Sequence, residues 1–103
     1  MEIESGNYVV IFTSKLHQTD DEYKEIFDQL LDMAQAQEGF IGMDSSRDEN
    51  IGISTSYWKD IPSIQKWQQE SAHLFAQRKG KEKWYESYAV SIAKIERHYS
   101  FER

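Results

Sequence analysis

The residues best suited to chemistry cluster between Ser56 and His73. The segment SYWKDIPSIQKW, Ser56–Trp67, holds two of the three tryptophans and the only proline of the chain. His73 follows shortly after, and a histidine titrates near neutral pH, which suits a general base. Flat aromatic rings beside such a base are typical of a pocket for an aromatic ligand, while helical spacing of the same rings is typical of a core. For Trp67, the residues alone favour core packing at helical spacing.

A metal site is not indicated. Glu70 and His73 form an E-x-x-H pair, but di-metal carboxylate bundles need two such motifs on separate helices. The chain has no cysteine, which excludes disulfides, thiolate nucleophiles and thiolate metal ligands. It also lacks a glycine-rich phosphate loop and the G-x-S-x-G sequence of hydrolase nucleophiles. What remains is a small set of polar side chains near large aromatic rings.

The composition predicts one acidic, globular domain over residues 1–103. Hydrophobic residues make up 39% of the chain and aromatic residues 14%, which is enough for a core. A net charge of −6 argues against nucleic acid and anionic membranes as partners. The N-terminal sequence MEIESGN lacks the basic and apolar regions of a signal peptide, so we expect a cytoplasmic protein. A domain of this size buries a modest share of its surface and gains from self-association.

Hydrophobic patterning predicts the first half of the fold. Asn7–Leu16 is rich in β-branched and aromatic residues and predicts a strand that is apolar on both faces. Thr19 and Glu22 form a capping box ahead of an amphipathic helix, which Gly39 is expected to end. The sequences FIGMDSSR and IGISTSYW then predict a β-hairpin around the polar turn Asp48–Asn50.

The second half is predicted to contain one more helix and one more strand. Asp60 is the expected N-cap, and Pro62 suits the first turn of a helix that ends near Gly80. KEKWYESY is compatible with a short helical turn, and YAVSIAKIERHYSF is expected to form the last strand. The apolar stripe of this second helix consists of Ile64, Trp67, Leu74 and Phe75.

The order β-α-β-β-α-β predicts an α+β, ferredoxin-like sandwich. Two helices cover only one face of a four-stranded sheet, whereas the first strand is apolar on both faces. We therefore expect a second copy of the chain to pack against the open face, sheet against sheet, in a homodimer.

Three segments carry a resemblance to a known family: GFIGMDSSRD, GISTSYWKDIPSIQKW and AQRKGKEKWYESYAVSIAKIERHYSF. In this order, within the range from Asn7 to Phe101, they resemble the antibiotic biosynthesis monooxygenase (ABM) family. The resemblance implies a homodimeric α/β barrel with a pocket between sheet and helices in each subunit. It also implies a cofactor-independent monooxygenase that uses dioxygen on an aromatic phenol or quinol, with neither metal nor flavin.

The same resemblance implies roles for individual residues. Trp67 and Asn7 match a helix tryptophan and a pocket asparagine of the family, and His73 lies near the positions of polar pocket residues in relatives. Asn7 and His73 would orient or deprotonate the substrate, and Trp67 would hold its ring. Further substrate contacts are expected from Phe12, Tyr57, Trp58, Arg78 and Trp84.

Local chemistry gives several of these residues a structural alternative. For His73 the favoured alternative is a half-exposed histidine on the helix. The Gly-Asn pair that contains Asn7 favours a turn. Tyr57 and Trp58 are neighbours in a strand and point to opposite faces, so only one of them can share a pocket with the helix. Arg78 belongs to a basic cluster that suits a helix C-terminus. Three aromatic residues near the last strand could either close the pocket mouth or serve as structural packing, which is favoured: Trp84, Tyr85 and Tyr88.

Two other functions stay open at this level. A haem-binding and haem-degrading branch of the family carries an axial histidine ten residues after the helix tryptophan. This chain has Gln77 at that position, and His73 lies one turn too early to ligate iron without a shifted helix. A non-catalytic dimeric barrel that binds a small apolar ligand is the other alternative, because no strong catalytic constellation is visible.

Overall fold

One antiparallel sheet and three helices form the domain. The computed structural model describes residues 1–18 and 20–103, without the side chains of Ser71 and Ala72. Over these residues the elements are β1 (Tyr8–Leu16), α1 (Asp21–Gln35), β2 (Phe40–Arg47), β3 (Gly52–Trp58), α2 (Ile61–Gln68), α3 (Ser71–Lys79) and β4 (Tyr85–Lys94). The strand order is β2-β3-β1-β4, and every pairing is antiparallel. This confirms the predicted α+β, ferredoxin-like arrangement.

Strand pairing divides the sheet into two faces. Phe12 of β1 pairs with Ser54 of β3 and with Val90 of β4, and side chains alternate along each strand. Val10, Phe12 and Trp58 therefore share one face, over which all three helices place side chains. The opposite face has none of the described helices over it and carries Val9, Ile11, Ile53 and Tyr57. Strand β1 is thus apolar on both faces, as its sequence predicts.

Helix α1 begins and ends at residues that differ from the prediction. Its N-cap is Asp20, whose Oδ1 accepts a hydrogen bond from the Tyr23 N–H at 2.9 Å. Thr19, expected to form the capping box, lies outside the described residues. The helix ends at Gln35 with Ala36 as its C-cap, so the expectation that Gly39 ends the helix is wrong.

Gly39 has another purpose in the fold. Its φ of +87° lies in the left-handed region, and a Cβ built there would lie 2.6 Å from the Cβ of Ser63. The Gly39 carbonyl also accepts a hydrogen bond from the Lys59 N–H at 2.8 Å. Glycine therefore permits a sharp turn and lets the first turn of α2 approach the beginning of β2.

The prediction of a single helix from Asp60 to Gly80 is wrong, because the structure has two helices in this segment. Asp60 caps α2 as expected, with Oδ1 accepting the Ser63 N–H at 2.9 Å and Pro62 in the first turn. The chain then leaves the helical conformation at Glu70, where ψ is 138°. This break resets the helical phase, so spacing counted from the first helix does not continue into α3. Leu74 and Phe75, expected on the buried stripe, are 49% and 50% exposed.

A single π-helical turn, Gly80–Trp84, connects α3 to the last strand. It agrees with the short helical turn expected in KEKWYESY, although β4 begins at Tyr85 and ends at Lys94. Trp84 is buried, its Nε1 donates to Oδ1 of Asp20 at 3.2 Å, and its ring meets Tyr23 edge-on at 5.2 Å. These contacts fix the beginning of β4 to the beginning of α1.

None of the helices described over residues 1–18 and 20–103 is both long enough and apolar enough to cross a membrane.

Candidate functional site between the sheet and the helices

A cavity of about 160 Å³ lies between the sheet and the helices. Its floor is formed by side chains of the sheet, including Val10, Phe12 and Trp58, and its roof by side chains of all three helices. Most of the lining is apolar. The polar lining residues are Ser54, Ser56, Gln68, His73, Gln77, Tyr85 and Tyr88. An apolar enclosure with a few converging polar groups is the usual form of a small-molecule site.

Three aromatic rings form a stack along one wall of this cavity. The Trp58 side chain is fully buried, and its ring lies 6.4 Å from the ring of Trp67 at an interplanar angle of 25°. Trp67 in turn lies 5.0 Å from the imidazole of His73 at 12°. Phe40 meets Trp58 edge-on at 5.3 Å, and Trp58 Nε1 donates to Ser56 Oγ at 2.9 Å. The Trp58 ring is therefore packed against Phe40, and its indole N–H is hydrogen-bonded to Ser56. These contacts attach the stack to the sheet.

The break between α2 and α3 places His73 in this stack. In one continuous helix, His73 would lie about 240° around the axis from Trp67, pointing to a different side. The extended conformation at Glu70 re-aims the next helix and returns the imidazole to the face of Trp67. The stack thus depends on a local departure from helical geometry.

The imidazole of His73 has a buried nitrogen that is not satisfied. Nδ1 is shielded from solvent and has no hydrogen-bond partner among the described groups. Burial, the largest cause, lowers the pKa of His73, and the neighbouring backbone of Gln68 and Trp67 opposes this shift. At neutral pH the ring is therefore uncharged. A neutral imidazole carries one donor and one acceptor nitrogen, so this ring is suited to exchange a proton or share a hydrogen bond with a ligand.

A second aromatic group closes the cavity at the β4 side. The ring of Phe12 lies 5.6 Å from that of Tyr85 and 5.5 Å from that of Tyr88. Burial, the largest cause, and the neighbouring Tyr23 both raise the pKa of Tyr85, so its phenol stays protonated and acts as a hydrogen-bonding group, not as a base. Gly80 admits the Tyr85 ring, because a Cβ there would lie 2.6 Å from it.

The structure brings some of the predicted site residues together. Phe12, Trp58, Trp67 and His73 all line the cavity. Of the two adjacent strand residues, Trp58 faces the cavity and Tyr57 lies on the opposite face of the sheet.

The other three predicted site residues lie outside the cavity. Asn7 is in a turn, where its Oδ1 accepts the Glu4 N–H at 2.7 Å, as the local Gly-Asn pair indicates. Arg78 is exposed on α3, and Trp84 packs between α1 and β4.

The sequence pattern does not assign several other lining residues to the site. Tyr85 and Tyr88, for which structural packing was favoured, both line the cavity. Ser54, Ser56 and Gln68 also line it, and no motif marks them. Strand alternation is the one signal that could have found the serines, because both share the face of Trp58.

The fold and cavity define a ferredoxin-like α+β domain with an aromatic-walled cavity beneath its helices. The family described as Antibiotic biosynthesis monooxygenase matches residues 8–79. This chain belongs to that ABM family. YqjZ of Bacillus subtilis (strain 168), itself uncharacterized, is 38% identical over 100 residues, which cover 96% of this chain and 88% of that protein.

Solved structures share the fold. SnoaB, a cofactor-independent oxygenase from Streptomyces nogalater, has a TM-score of 0.76 at 11% identity, covering 91% of this chain and 97% of that one. A putative antibiotic biosynthesis monooxygenase from Nitrosomonas europaea has a TM-score of 0.74 at 14% identity, covering 91% and 94%. At these identities the likeness establishes the fold alone.

We predict that His73→Phe is at least as stable as the native protein at neutral pH. Phenylalanine keeps the stacked ring and removes a buried acceptor without a partner, which costs about 1–3 kcal/mol. The native protein should also lose stability as the pH falls below about 6.5, because the unfolded histidine binds a proton that the folded one resists. His73→Phe should reduce this pH dependence. Urea unfolding between pH 5 and 8 measures both effects.

The matched control is His98→Phe, which removes a histidine from the exposed C-terminal segment. A variant at His73 that loses more than about 1 kcal/mol at neutral pH would show that Nδ1 has a partner in the folded protein. A pH dependence unchanged by the substitution would contradict the lowered pKa.

Proposed function

We propose that this protein is a cofactor-independent monooxygenase acting on a single-ring phenol or quinol. The observation that carries the proposal is the imidazole of His73 in the wall of an apolar cavity, with a buried Nδ1 that has no hydrogen-bond partner among the described groups. A substrate ring would lie near Trp67, and its hydroxyl would donate to Nδ1. The cavity volume of about 160 Å³ favours one ring, since an apolar cavity of about 150 Å³ in another protein binds benzene.

The proposed reaction begins with proton transfer from the phenol to Nδ1 of His73. The resulting phenolate is electron-rich and passes one electron to dioxygen, which gives a phenoxyl radical and superoxide. These combine through a new carbon–oxygen bond to a ring peroxide anion, which takes the proton held by His73 and becomes a hydroperoxide.

The second half of the reaction forms the product. The ring carbon that carries the hydroperoxide loses its proton to Nδ1 of His73, and its electron pair forms the new carbonyl as the oxygen–oxygen bond breaks. The departing hydroxide takes that proton from His73. The products are a quinone and water, so both atoms of dioxygen are accounted for and His73 returns to its neutral form.

The protein's part in this scheme is to supply a base and a dry enclosure. The low pKa of His73 keeps the base free at neutral pH, and the apolar walls favour an uncharged aromatic ring over water. Membership of the ABM family and the oxygenase activity of SnoaB support the reaction class. Asn7 has no part in our proposal, because its amide is used in the turn with Glu4.

The test is dioxygen consumption with phenol, hydroquinone and catechol, and with the three-ring anthrone for comparison. We expect turnover of at least one single-ring compound and none of anthrone. His73→Phe should lower kcat by about 10²–10⁴-fold, the usual contribution of a general base. Trp67→Phe should raise KM with a smaller effect on kcat, because it reduces ring contact and leaves the base.

Leu74→Ala is the matched control, because Leu74 follows His73 on α3 but is half exposed and outside the cavity. It should retain native rates. The reaction is wrong if no single-ring compound raises dioxygen uptake above the protein-free rate, or if His73→Phe keeps the native kcat.

We also propose that two copies of the chain associate through the open face of the sheet. Ile53 on that face is 47% exposed, Val9, Ile11 and Tyr57 lie beside it, and no described helix covers it. ABM proteins are commonly dimeric, which supports this assembly. The cytoplasmic location expected from the sequence stays a prediction.

Sedimentation equilibrium should give a mass of two 12.2 kDa chains. Ile11→Asp should shift the protein to a single chain, because it places a charge in the centre of the apolar face. Met33→Asp, at an exposed position on α1, is the control and should leave the mass unchanged. A native protein that sediments as one chain at about 100 µM would exclude a stable dimer.

A further inference from the structure

Arg47, at the end of β2, is held in a defined position. It pairs across the hairpin with Gly52, and its guanidinium lies over that glycine, where a Cβ would come within 2.6 Å of Nε. Its Nη2 donates a hydrogen bond to Oγ of Ser14, which is only 3% exposed. The missing side chain at Gly52 and the buried hydroxyl at Ser14 together position the guanidinium of this exposed side chain.

This arginine is held without a carboxylate partner. Over residues 1–18 and 20–103 the ion pairs within 4.0 Å are Lys79–Glu22 and Lys83–Asp20, and Arg47 is in neither. Asp48, its neighbour in sequence, is turned into the hairpin loop, where Oδ1 accepts the N–H groups of Asn50 and Ile51. In a chain with a net charge of −6, an arginine fixed by a serine instead of a carboxylate still has donors for an anion.

Arg47 lines a second cavity, of about 220 Å³, that adjoins the first. Lys24 of α1, which is exposed, also lines this cavity. The two cavities share four wall residues: Phe12, Phe27, Ser54 and Tyr85. The positive charge of Arg47 acts on the Tyr85 phenol and opposes the rise in its pKa. Arg47 is therefore near Tyr85, which belongs to the shared wall.

The sheet register sets the separation between the two cavities. Val10 and Ser56 form a pair beneath the first cavity, and Ser14 and Gly52 form a pair beside Arg47. Four residues separate these pairs along β1, which corresponds to about 13 Å. Because the two cavities adjoin, a single ligand with a flexible arm of this length would place a ring in the first cavity and an anionic group at Arg47.

We propose that the second cavity is a carboxylate subsite, in which Arg47, assisted by Lys24, binds the acid group of a ligand whose aromatic ring occupies the first cavity. The ligand class is a hydroxyphenyl-alkanoic acid with a flexible arm. Arginine suits this task because its planar fork of donors matches a carboxylate in two parallel hydrogen bonds. The ring position rests on the proposed function, whereas the anion subsite is defined by Arg47 and its surroundings.

The test is calorimetric titration of the native protein with 3-(4-hydroxyphenyl)propionate, 5-(4-hydroxyphenyl)pentanoate and the two corresponding amides. We expect at least one acid to bind about 10-fold more tightly than its amide, as a charge-assisted pair contributes. Salt should weaken binding of the acid more than of the amide. Arg47→Gln should abolish the preference for the acid, and Lys24→Gln should reduce it a few-fold.

Arg78→Gln is the matched control, since Arg78 is exposed and lines neither cavity, and it should keep the native preference. Thermal unfolding shows whether Arg47→Gln folds. If it does not, Lys24→Gln on the exposed surface of α1 decides the question. Equal affinities for acid and amide, a preference that survives both substitutions, or no binding of either compound would overturn the proposal.

Calorimetry measures binding and requires no turnover. The carboxylate subsite and the oxygenase reaction can therefore be contradicted independently. Acid preference without dioxygen consumption would contradict the oxygenase and leave the subsite. Turnover of neutral phenols without acid preference would contradict the subsite and leave the oxygenase.

Discussion

The stack of Trp58, Trp67 and His73 is the interaction on which the site depends. Trp58 is fully buried at the end of β3, and it is fixed by Phe40 and by its hydrogen bond to Ser56. Packing Trp67 on this ring sets the distance of α2 from the sheet, and His73 extends the stack into α3. The cavity between the sheet and the helices lies beside this stack. Its aromatic wall is therefore built on the buried core of the domain, which favours a preorganised site.

Burying His73 lowers the free energy of unfolding, and the need to fill space does not by itself explain why a histidine is buried here. An imidazole that stacks well on tryptophan is buried with no partner for Nδ1 in the part of the chain that the structure describes, and leaving such a group unsatisfied destabilises the folded state. A side chain of the same shape without nitrogen would fill the space equally well. Costs of this kind are typical of functional sites, where a group is kept ready for a ligand.

Local patterns predicted the parts of the fold that local chemistry determines, while the rest depended on contacts between distant parts of the chain. The Asp60 cap and the turn preference at Asn7 follow from a residue and its near neighbours, as does the order of strands and helices. Nothing in the helical spacing indicates the break at Glu70, which brings His73 onto Trp67. Such features arise from strand register and helix phase, which the sequence specifies only through the complete fold.

The most direct test concerns one atom, Nδ1 of His73, which we propose accepts a hydrogen bond from a ligand hydroxyl. Nitrogen NMR of protein carrying ¹⁵N-labelled histidine observes this atom directly. We expect Nδ1 to be unprotonated and free at neutral pH. Saturating phenol should move its resonance toward that of a hydrogen-bonded nitrogen, while toluene, which lacks the hydroxyl, should not. A resonance unmoved by phenol, or moved equally by toluene, would contradict the role of His73 as the base.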